Sequence, residues 1–138
     1  MKNVSIEMLN GFEKEVYIKS LIIVAKADNN YSREEQQFIT NQAEVLGLKV
    51  DEINIDDLNI EHLKSLANCP KQTRMSIILD SITLGYLDGK YDDDERVIVR
   101  KAADFLNISQ EEVNLLNDWY LEHQTILHKG QRLLGYID

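Results

Sequence analysis

The chain has 138 residues, about one average domain, with 24 Asp and Glu against 15 Lys and Arg and a net charge of -9. A 43% hydrophobic share with 28% charged residues excludes disorder as a description of the whole. The acidic balance, without a basic stripe, speaks against nucleic-acid binding. The longest apolar run, Leu21 to Ala25, is far short of the ~18 residues that a membrane span needs.

The apolar residues recur at helical spacing along most of the chain. Phe12, Val16, Ile23 and Ala27, broadened by Leu21, Ile22 and Val24, predict a helix over about 12–28, apolar on most sides and therefore central. Phe38, Ile39, Ala43 and Leu46 predict a second helix closed by Gly47. Residues 59–68 read as a short helix ended by Cys69-Pro70. A long apolar helix is expected over 73–88, with Met75, Ile78, Leu79, Ile82 and Tyr86. Ile98, Ala102, Phe105 and Leu106 mark a fifth, and Val113, Leu116 and Tyr120 a sixth. The tail, 121–138, is apolar enough to be expected docked on the core. No strand-like alternation competes, so the expected class is all-α: a single domain over 1–138, a bundle of about six to seven helices.

The sequence also repeats with an offset of 60. Ile22 matches Ile82, Asp28 matches Asp88, Tyr31 matches Tyr91, Glu35 matches Glu95, Ala43 matches Ala103, and Leu46 matches Leu106. The copies are expected over about 12–53 and 73–113, each an apolar helix, a tight turn and an amphipathic helix, packed about a pseudo-twofold axis.

The repeated turn is the feature with chemical character. It reads Asp28-Asn29-Asn30-Tyr31-Ser32-Arg33-Glu34-Glu35 in the first copy and Asp88-Gly89-Lys90-Tyr91-Asp92-Asp93-Asp94-Glu95 in the second. Ser32 with Glu35, Asp92 with Glu95, and Ser109 with Glu112 have capping-box spacing, and the acidic first turns suit the helix dipole. Asp28 and Asp88 do not fit that pattern, because each closes an apolar helix where the dipole disfavours a carboxylate. Two readings stay open. In one, these residues form Asx-type turns and caps. In the other, Asp88, Asp92, Asp94 and Glu95, and more weakly Asp28 and Glu35, hold a hard divalent cation (Ca, Mg or Mn) through oxygen. The second window carries a net charge of -4 and the first -2, so the second is the better site.

Other chemistry has little support. His123 and His128 are five apart, off the i, i+4 spacing of paired helical ligands, and His62 is isolated. The single cysteine, Cys69, excludes an internal disulfide framework and suits a reducing compartment. The first residues lack the apolar stretch of a signal peptide. The cytoplasm is the expected location, with no enzymatic activity and no membrane insertion.

Ala25-Lys26-Ala27-Asp28 with Glu35, and Leu87-Asp88-Gly89-Lys90-Tyr91 with Glu95, resemble the TerB-like tellurite-resistance family. That family's pattern is an apolar helix ending in Ala-x-Ala-Asp-Gly, a turn, and a glutamate in the next helix. The resemblance spans about residues 12–120. The first copy has Asn29 where the family has glycine, and the second has Gly85 and Leu87 where it has alanines. The resemblance implies a compact helical bacterial protein linked to stress responses, with an acidic face for divalent cations at Asp28, Glu35, Asp88 and Glu95. The family is also tied to assemblies near the membrane, and no enzymatic activity is implied; a surface for a protein partner is expected.

Overall fold

The computed structural model describes residues 10–26, 31–54, 59–87 and 91–138. Within them the chain is all-helical: α1 (Gly11–Ala25), α2 (Arg33–Val45), a 3-10 turn (Val50–Glu52), a 3-10 helix (Ile60–Leu66), α3 (Lys71–Tyr86), α4 (Asp93–Phe105) and α5 (Gln110–Leu133). α1 and α3 pack on each other at the centre, as their apolar composition requires. α2 and the 3-10 helix flank α1, and α4 and α5 cover α3.

α1 begins one residue before the expected start because Asn10 and Glu13 close a reciprocal capping box. Its buried face is Tyr17, Ile18, Leu21, Ile22, Val24 and Ala25, whereas Phe12 is exposed and Ile23 half-buried. Of the expected stripe, Val16, Leu21, Ile22 and Val24 are buried, Phe12 and Ile23 are not, and Ala27 lies outside the described residues. A helix with apolar residues on most sides leaves its rotation to packing rather than to periodicity.

α2 and α4 end alike. After Leu46, the Gly47 N–H donates to the Glu44 carbonyl and the Leu48 N–H to the Ala43 carbonyl. After Leu106, Asn107 and Ile108 make the corresponding bonds to Asp104 and Ala103. Both are Schellman caps with a left-handed residue, Gly47 at φ 76° and Asn107 at φ 56°. Positions offset by 60 also share burial: Ile39 with Val99, Ala43 with Ala103, and Leu46 with Leu106.

The expected short helix over 59–68 is a 3-10 helix, with Leu63 and Leu66 in the core. Arg74 ties its far end to the bundle: Nε donates to the Cys69 carbonyl and Nη1 to the Leu106 carbonyl, both at 2.9 Å.

The tail departs from expectation. Instead of docking, residues 121–133 continue α5 outward, and Leu121, Ile126, Leu127, Leu133, Leu134 and Tyr136 are exposed. The cause is local. Helix formers run without proline from Gln110 to a Schellman cap at Gly135, so the chain has no break at which to fold back. Only the base of α5 is anchored. Val113 is buried, Tyr120 stacks on Tyr86 at 5.1 Å, and the Tyr86 hydroxyl donates to Asn117 Oδ1 at 3.0 Å.

Candidate functional site

The two repeated turns lead into α2 and α4. At the first, the Ser32 N–H donates to Glu35 Oε1 at 2.9 Å and the Glu35 N–H to Ser32 Oγ at 3.1 Å, a complete capping box. At the second, Asp92 Oδ1 accepts the Glu95 N–H at 2.9 Å. The box is reciprocal at Ser32 and Glu35, and at the second turn the described bond is the one that Asp92 accepts. Both glutamates are deeply buried, Glu35 and Glu95 each 1% exposed.

Glu95 instead lies against α3. A Cβ on Gly85 would stand 2.6 Å from Glu95 Oε2 and 2.6 Å from Tyr91 Cδ1. Gly85 thus makes the space into which Tyr91 and Glu95 pack, and the counterpart of Gly85 in the first copy is the buried Ala25. The missing alanine has a physical reason there.

Tyr91 is held on three sides. Its ring lies 5.0 Å from Tyr86, the Arg96 guanidinium sits over it at 4.4 Å, and Arg96 Nε donates to its carbonyl at 3.1 Å. Burial is the main cause that pushes its phenol up to about 12, aided by Tyr86 and Glu95 and opposed by Arg96 and Arg100. Tyr31 is arranged similarly: Lys26 lies 5.4 Å over its ring and Gln36 Nε2 donates to its carbonyl at 3.0 Å. Its phenol is raised by burial and then by Glu35.

The expected ligands are only partly brought together. Asp92 is engaged as the α4 cap, Asp94 is exposed, and Glu35 and Glu95 are buried. Asp28 and Asp88, which both turns depend on, lie outside the described residues. Among the described residues, no group of three His, Cys, Asp or Glu side chains is placed to hold a metal ion.

Sequence reasoning missed one half-buried acid. Asp80 on α3 accepts a hydrogen bond from the Tyr17 hydroxyl of α1, and burial pushes its carboxyl up to about 7. The available signal was an acid inside an otherwise apolar helix. Cys69 is half-buried: its thiol donates to Glu13 Oε2 at 2.9 Å, and burial first, then Glu13, raise it to about 11, away from thiolate chemistry. Among the described residues, no helix is long and apolar enough to cross a membrane.

Residues 60–118 match the family model for the tellurite resistance protein TerB. The fold is similar to the crystal structure of a tellurite resistance protein from Nostoc punctiforme, with a TM-score of 0.68 and 25% identity over 91% of this chain and 82% of that one. No curated protein matches the chain. Residues 60–118 thus carry the TerB sequence pattern, and the fold over nearly the whole length is similar to that of a tellurite resistance protein.

Proposed function

We propose that this chain is a non-catalytic, cytoplasmic, stress-response-type helical module that binds a divalent cation weakly at its second acidic turn and presents a surface to a protein partner. The observation that carries this reading is Glu95, a deeply buried carboxylate packed beside Gly85 directly after the run Asp92 to Asp94. An acid in that setting gains from a hard cation, with Asp88 as the natural second ligand. The first turn is the weaker site, since its window carries a net charge of -2 against -4 for the second.

The test is amide NMR of chelator-treated protein titrated with calcium, magnesium and manganese. Saturable shifts centred on 88–95, weaker ones at 28–35, and their loss in Asp88→Asn are expected. Flat spectra into the millimolar range overturn the reading.

A second reading is favoured by the Asp92 cap and the Ser32–Glu35 box, which account for these acids without metal. The chain is then an interaction domain alone. Asp92→Ala then costs about 1 kcal/mol equally with and without cation.

A further inference from the structure

Among the described residues, the outer face of α5 is an unpartnered stripe with a self-complementary pattern. Leu115, Trp119, Ile126 and Leu133 lie on one side of the helix and are 62%, 50%, 68% and 78% exposed. Trp119, Ile126 and Leu133 are spaced by seven, the repeat of a two-helix seam, and Glu122 and Lys129 fall at the positions between them. This side is roughly 60–160° round the helix from Val113, Leu116 and Tyr120, which pack on the body. Beyond Tyr120, where residues 121–129 are all exposed, a helix laid on it meets α5.

The charges along the stripe are ordered. Acids come first, Asp118 and Glu122, and bases last, Lys129 and Arg132, all exposed. They are placed nearly symmetrically about residues 125–126. In an antiparallel pair centred there, Glu122 of one copy meets Lys129 of the other, Asp118 meets Arg132, Trp119 covers Leu133, and Ile126 meets its own counterpart. A parallel pair would stack Glu122 on Glu122 and Lys129 on Lys129. The complementarity thus selects both the occupant and its direction.

We propose that two copies of this chain associate through antiparallel pairing of the outer halves of α5, with the bundles on opposite sides of the helix pair. The pairing is independent of the cation reading. It also accounts for a long apolar helix standing away from its own core.

Sedimentation equilibrium of the full chain over a concentration series tests it. The expected result is a mass rising to twice the 16.0 kDa of one chain. Glu122→Lys and Lys129→Glu singly should each weaken association by about tenfold or more, and the double exchange should restore it. Circular dichroism verifies that each variant keeps its helices, since all these side chains are exposed. Direction is read by oxidation: Glu122→Cys should not cross-link between copies, because the two cysteines would stand about 12 Å apart along the pair, whereas Ile126→Cys should. A monomer at every concentration overturns the proposal, as does a dimer indifferent to both single exchanges. A cross-link through residue 122 overturns the antiparallel arrangement.

Discussion

At the scale of single residues, Gly85 is the position where one methyl group has the largest reach. Its Cβ would collide with both Glu95, which is 1% exposed, and the Tyr91 ring. Gly85→Ala should therefore destabilise the protein by roughly 1–3 kcal/mol in urea denaturation, although alanine is the better helix former. Asp80 gives a pH signature. Its carboxyl titrates near 7 in the folded protein, above the ordinary value of 3.8, because of burial. The folded state thus binds the proton more tightly than the unfolded chain, and stability must fall as pH rises from about 4 to about 7. Asp80→Asn should remove that decline and raise neutral-pH stability by about 1–3 kcal/mol, measured as unfolding free energy against pH. The Ser32–Glu35 and Ser109–Glu112 boxes were legible because partners three residues apart are read from spacing alone. The Tyr17–Asp80 and Tyr91–Arg96–Gly85 arrangements were not. They depend on which faces of separate helices meet, or on ring and guanidinium placement that spacing does not specify.

Helices are bounded here by local signals and oriented by distant ones. The Schellman cap of α4 uses Asn107 at φ 56°, where its counterpart in α2 uses glycine. Asn107→Gly should add a few tenths of a kcal/mol, and Gly47→Ala should remove about 1 kcal/mol, both measurable as shifts in denaturation midpoint. Arg74 acts over a longer range, with two hydrogen bonds that fasten the end of the 3-10 helix to the end of α4. Arg74→Ala should cost roughly 1.5–3 kcal/mol. Arg74→Lys should recover only part of that, because an ammonium does not reproduce the guanidinium fork. Helix ends at Gly47 and Cys69-Pro70 were readable because turn chemistry is local. The rotation of α1 was not: its apolar residues surround it, so contacts with the other elements, chiefly α3 and the 3-10 helix, decide that Tyr17 points inward and Phe12 outward.

For the whole molecule, the all-α class followed from composition and period, but the path of the tail did not. Apolar content in 121–138 says that these side chains want to leave water; it does not say whose surface removes them from it. The fold answers half of that question, since α5 is anchored through Val113, Asn117 and Tyr120 and then leaves the body. Two consequences separate. Ending the chain after Glu122 should leave the stability of the bundle nearly unchanged, because the removed side chains are exposed and contribute little to its core. A docked tail would instead have cost several degrees of melting temperature. If the outer half of α5 serves a second copy, the full chain should melt at higher temperature as its concentration rises, since association stabilises only the folded form. The shortened chain should melt at one temperature throughout. A thermal scan of both forms across a hundredfold concentration range therefore distinguishes a helix that stabilises its own bundle from one that stabilises a pair.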